Sequence, residues 1–95
     1  MPPVIVWLNP SPNAVIDTTV VLEATATDNQ GIWRVVFYIA GFEFPGALVD
    51  SARGLYHCLW NARYYPAGPY PLQARAWDAA RNVASTPVCM VSVNH

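Results

Sequence analysis

Apolar and polar residues alternate with a period of two along most of the chain, in runs about ten residues apart bounded by Pro, Gly, Asn and Asp. A chain that turns every second side chain toward a core is an extended strand with one buried face. The first run sets Val4, Val6 and Leu8 against Ile5 and Trp7, and stops at Asn9-Pro10-Ser11-Pro12, where two prolines end the ladder and keep the strand short. The second alternates Val20, Leu22, Ala24 and Ala26 with Val21, Glu23, Thr25 and Thr27, then closes in the tight turn Asp28-Asn29-Gln30-Gly31. In IWRVVFYIA, ended by Gly41, Val35, Phe37 and Ile39 point inward while Arg34, Val36 and Tyr38 point outward. FEFPGALV reads as a shorter edge strand with an irregularity at Pro45. GLYHCLW places Tyr56, Cys58 and Trp60 on one face, and PYPLQARAWD does the same for Tyr70, Leu72, Ala74 and Ala76. The last run, TPVCMVSVN, sets Cys89, Val91 and Val93 against Val88, Met90 and Ser92. No helical period competes. The pattern predicts one all-β domain over residues 1–95, with seven strands in two antiparallel sheets packed face to face: A (4–8), B (18–28), C (32–40), C′ or D (42–49), E (54–60), F (69–78) and G (86–94).

The succession PPVIVWLNPSPNA, VVLEATATDNQGI, RVVFYIAG, LYHCLWN, AGPYPLQARAWDAARN and VSVN resembles the bacterial immunoglobulin-like modules over nearly the whole chain. Its most specific parts are the ATATDNQG turn, the FYIAG end of the third strand, and the A-G-x-Y-x-L-x-A-x-A-x-D run from Ala67 to Asp78. The resemblance implies a seven-stranded immunoglobulin-like antiparallel β-sandwich that serves as spacer, stalk or interaction module in secreted enzymes, adhesins and phage structural proteins, and it implies no reaction. In this fold a tyrosine near the start of strand F commonly bonds backbone at the E–F corner, a structural role expected of Tyr70. The chain departs from the family twice. Arg81 stands in DAARN where the family has glycine, so a left-handed residue there would cost about 1 kcal/mol. The chain also carries two cysteines, which the modules mostly lack.

Composition narrows the functional classes. Hydrophobic residues make up 54% of the chain and charged ones 12%, and all five cations are arginine. Such a surface is unusually apolar, which reflects either a compositional bias toward Arg, Ala and Pro or a protein contact that covers apolar area. A net charge of −1 without a basic cluster argues against nucleic acid as a partner. No segment has the roughly 20 apolar residues of a spanning helix, so no membrane partner is expected, and MPPVIVWLNP lacks the basic start of a signal peptide. The chain is then a domain from a larger secreted protein or a complete product suited to a virion, and its expected place is extracellular, at a cell surface or in a virion.

Few residues could carry chemistry. Cys58 and Cys89 fall on inward phases, so they either meet as a disulfide or each fills space as a buried thiol; a bridge needs Cα atoms within about 7 Å, which strands E and G do not guarantee. His57 lies next to Cys58 and so on the opposite face, where it cannot lower that thiol's pKa, and His95 is terminal. With no nucleophile elbow, phosphate loop or two-His metal spacing, the sequence predicts a protein that is not an enzyme and needs no cofactor. Asp28 and Asp78 end strands B and F, so their loops bring both carboxylates to one pole beside Asn29 and Asn82. That is a weak calcium candidate, because the ion takes six to eight oxygens; the alternative is that each aspartate caps its own turn.

The outward residues of strands C, F and G then define an interaction face: Arg34, Val36 and Tyr38, beside Gln73, Arg75 and Trp77, with Met90 and Ser92 alongside. Tyr, Trp, Met and Arg are the types enriched where proteins meet, and arginine laid over an aromatic ring would equally stabilise the sheet by itself. Three functions remain open. The face assembles with copies of the chain or with a neighbouring subunit, as in a virion decoration; or the domain is a passive spacer in a secreted multidomain enzyme or adhesin; or Trp33, Trp77 or the tyrosines stack on carbohydrate.

Overall fold

The computed structural model describes residues 3–28 and 31–94; Asn29 and Gln30 of the first turn, and His95, lie outside the described residues. Among the described residues ten strands follow one another: β1 (Val4–Asn9), β2 (Val15–Ile16), β3 (Thr19–Thr27), β4 (Ile32–Ile39), β5 (Phe42–Pro45), β6 (Ala47–Asp50), β7 (Leu55–Asn61), β8 (Gly68–Asp78), β9 (Val83–Ser85) and β10 (Cys89–Val93). They form two sheets. One has the order β1-β3-β7-β6, and the other β2-β10-β8-β4-β5 with β9 added beside β8. This is the immunoglobulin arrangement of strands A, B, E and D against strands G, F and C. The only helical element among the described residues is one 3-10 turn, Ala62–Tyr64, between β7 and β8.

The count of ten corrects the expected seven, and proline is the physical reason. Strand A breaks at Pro10 and Pro12 into β1, in the first sheet, and β2, which pairs with β10 in the second and in parallel. The FEFPGALV strand breaks at Pro45-Gly46, so that β5 pairs with β4 while β6 crosses to β7. Gly46 makes the crossing feasible: a Cβ there would stand 3.0 Å from the Phe37 ring, and its amide donates to the Val35 carbonyl at 2.9 Å. Strand G breaks around Pro87 into β9 and β10, both alongside β8. Each proline removes a ladder donor where a strand is interrupted, and at Pro10–Pro12 and Pro45 the chain leaves one partner for another.

The core lies between the sheets and obeys the two-residue period. Leu22, Ala24 and Ala26 of β3 meet Val35, Phe37 and Ile39 of β4 and Leu72, Ala74 and Ala76 of β8, all buried. Four alanines on facing strands leave room for large rings, a large-against-small arrangement that fills space without strain. Ile5 and Trp7 are the inward residues of β1; Trp7 meets Phe37 edge-on at 6.0 Å and its indole N–H donates to the Pro10 carbonyl at 2.7 Å. Trp60 packs edge-on against Tyr65 and Tyr70 at 5.3 and 5.5 Å. The Tyr70 hydroxyl donates to the Pro66 carbonyl at 2.6 Å, which ties the link between β7 and β8 to the start of β8.

Candidate interaction face

The outer side of the second sheet is where the expected face residues gather. In register, Arg34 of β4 lies across from Trp77 of β8, Val36 from Arg75, and Tyr38 from Gln73. Arg34 and Arg75 are exposed, and Tyr38, Gln73 and Trp77 are half-buried. Val36 is a correction: it is 1% exposed. It does stand in the outward phase, but Arg75 and Pro45 face it from both neighbouring strands and Arg34 and Tyr38 flank it along its own. Long side chains whose stems lie flat enclose a small residue in that position. Met90 is exposed across from Pro71, at the far end of β8 from Trp77. Gln73 is fixed by donating to the Thr86 carbonyl at 2.8 Å.

Two residues outside the expected set complete the geometry. The β4 ladder slips between Ile32 and Arg34, and the intervening Trp33 is 47% exposed. The β8–β9 turn brings Arg81 onto it, with the guanidinium carbon 3.6 Å from the ring centroid. Arg34 lies 5.6 Å from Trp33 and 5.3 Å from Trp77, and Arg75 lies 5.0 Å from Tyr38. Arginine and aromatic rings thus alternate along the face. Sequence spacing could not show this, because a bulge brings Trp33 in and a turn brings Arg81. The signal for Arg81 was its place in DAARN: its φ is +70°, the left-handed conformation that glycine supplies elsewhere in the family resemblance.

That turn also accounts for Asp78, whose carboxylate is buried. Its Oδ1 accepts from the Asn82 backbone at 2.8 Å and its Oδ2 from the Asn82 side chain at 3.0 Å. Burial opposes ionisation, but hydrogen bonds from the Asn82 side chain and from the Asn82 and Ala80 backbone prevail and hold the carboxyl below its ordinary value. Asp28 accepts the Gly31 amide on its backbone carbonyl at 3.3 Å, and its buried Oδ2 has no hydrogen-bond partner. Among the described residues no three His, Cys, Asp or Glu side chains gather as metal ligands would.

Cys58 of β7 and Cys89 of β10 sit in opposite sheets and are free thiols, so the bridge is not made. The Cys89 thiol donates to the Pro10 carbonyl at 3.6 Å, and burial pushes both thiols above their usual value. His57 pairs in register with Glu23 on the outer side of the first sheet, away from Cys58. That other outer side is also apolar in places: Val4 is 62% exposed, Val6 49% and Leu59 60%.

The sequence profile of the bacterial Ig domain family matches residues 3–74, about three quarters of the chain. The chain belongs to the bacterial Ig domain family. No curated protein sequence matches this Ig domain. Among solved structures it is similar to the endo-β-1,4-mannanase of Thermotoga petrophila, with a TM-score of 0.84 at 12% identity over all of this chain and 20% of that one. It is similar to the fibronectin(III)-like modules of Clostridium thermocellum CbhA, with a TM-score of 0.79 at 17% identity over 95% of this chain and 94% of that one. An engineered protein gives 0.68 at 16% identity over 98% of this chain and 20% of that one. The Ig domain therefore spans a fifth of the mannanase it resembles, and at these identities the likeness shows the fold.

Proposed function

We propose that this Ig domain is a non-catalytic accessory module of an extracellular, cell-surface or virion protein, and that it acts by seating a neighbouring protein on the outer side of the second sheet. The alternating arginine and aromatic residues there carry the reading. Arg, Trp and Tyr supply most of the energy at protein contacts, and these are held in place before any partner arrives. The test is a photo-cross-linking residue placed at Trp77 or, as control, at Leu59 in the chain within its natural polypeptide. Capture of a neighbouring domain or subunit from position 77 alone is expected; capture from position 59 alone, or from neither, overturns the assignment.

A spacer role is favoured by one observation of its own. Val4 lies beside Thr27 at one pole and Val93 beside Gly68 at the other, in a body 42 Å long and about 20 Å across. Domains joined at these two poles would be held apart by the length of the body. The two roles are compatible. Stacking on carbohydrate is supported less, since each of Trp33, Trp77 and Tyr38 already has a guanidinium against its ring.

A further inference from the structure

Resting on that reading of the face, we infer that its partner is an extended acidic protein segment, bound through carboxylates that pair with Arg34, Arg75 and Arg81. The charges of this chain are segregated. Three of its five arginines lie on this face, and Glu43, across from Tyr38, is the one carboxylate that the strand registers put on its outer side. None of the three guanidinium groups has a carboxylate partner among the described residues. Each lies over a ring, at 3.6, 5.3 and 5.0 Å for Arg81, Arg34 and Arg75. A guanidinium that lies over a ring and has no carboxylate partner keeps N–H donors to offer, in the fork that fits a carboxylate. Stacking also holds the long side chain still, so less freedom is lost when a partner binds.

The spacing selects the partner's shape. From Tyr38 to Trp33 along β4 is five residues, about 17 Å at roughly 3.3 Å each. Acidic side chains on alternate residues of an extended chain recur about every 7 Å, so three of them cover about 14 Å, most of the row. At the Arg75 end an open groove of about 360 Å³, lined by Tyr38, Gly41, Pro71, Gln73, Arg75 and Val88, receives the end of such a segment. An acidic polysaccharide shares the carboxylates but binds also by stacking sugar faces on aromatic rings, and here those rings are engaged by arginine. The peptide is the better fit.

The experiment follows the Trp indole and Arg Nε–H signals of the full chain by NMR as an acidic probe is added, a decapeptide with glutamate at alternate positions. Its glutamine counterpart and polygalacturonate are tested in parallel. Shifts at Trp33, Trp77, Arg34 and Arg75 are expected with the glutamate peptide alone, weakening about tenfold or more between about 20 and about 200 mM salt. Arg75→Gln, with an otherwise native spectrum, is expected to bind about tenfold more weakly, and Arg53→Gln equally well. An inert glutamate peptide, an equal response to the glutamine peptide, or a response to polygalacturonate alone overturns the inference. If the cross-linker at position 77 captures a neighbour while the glutamate peptide is inert, the docking face stands and the acidic partner falls.

Discussion

Replacing Arg81 separates two effects of opposite sign at one position. Its left-handed φ of +70° costs an ordinary side chain about 1 kcal/mol relative to glycine, taken at the low end of the usual range. Its guanidinium against Trp33 at 3.6 Å returns about 0.5 to 1 kcal/mol at a partly exposed site. Arg81→Ala keeps the strain and removes the stack, so it is expected to lose about 0.5 to 1 kcal/mol. Arg81→Gly removes both, and the two changes nearly cancel. The stability order is therefore arginine level with glycine and both above alanine. Urea unfolding resolves it, and in a domain of this size about 1 kcal/mol moves the thermal midpoint by roughly 4 to 8 °C. If arginine instead equals alanine and glycine stands about 1 kcal/mol above both, the Arg81–Trp33 contact contributes nothing to stability, against the placement of Arg81 over that ring.

Four further outcomes are expected. The Ala40-Gly41 loop joins Ile39 to Phe42 with φ of +51° and +87°, a two-residue hairpin that favours Asn-Gly, so Ala40→Asn should raise stability by about 1 kcal/mol; no rise in the melting midpoint would contradict the turn. Gly54→Ala should cost more than about 2 kcal/mol in urea unfolding, because φ is +66° and the new Cβ would run into the Ala26 carbonyl oxygen; a tolerated alanine would show that the turn is built otherwise. The Asp78 carboxyl is held lower folded than unfolded, so its stabilisation is full above the unfolded value near about 4 and is lost as pH falls through the folded value; Asp78→Asn should flatten that acid limb of urea midpoints against pH, and parallel curves would refute the assignment. Both thiols, raised by burial, should react slowly with a thiol reagent in the folded chain and stoichiometrically once unfolded without reductant; absence of reaction after unfolding would mean a bridge.

The inside of this fold was legible because β3 and β8 are long, central and buried on one side, so that Leu22, Ala24 and Ala26, and Leu72, Ala74 and Ala76, follow the alternation without exception. What alternation cannot show is where a strand changes partner. Pro10 and Pro45 were visible as irregularities, but that both send the chain to the opposite sheet depends on contacts distant in sequence. Val36 shows the complementary limit: its phase is outward as expected, and only its cross-strand neighbours make it dry. The face was half legible for the same reason. Arg34, Tyr38, Arg75 and Trp77 follow from parity, whereas Trp33 arrives through a bulge and Arg81 through a turn, neither of which has a period.

Arg34, Arg75 and Arg81 are held over aromatic rings on an exposed face. The most direct measurement is the proton shifts of the arginine side chains in solution, since a group lying over a ring is shielded by it. The δ-methylene and Nε–H protons of these three are predicted to move upfield, with those of exposed Arg53 at unfolded-chain values. Identical, unshifted signals from all four would contradict the claim.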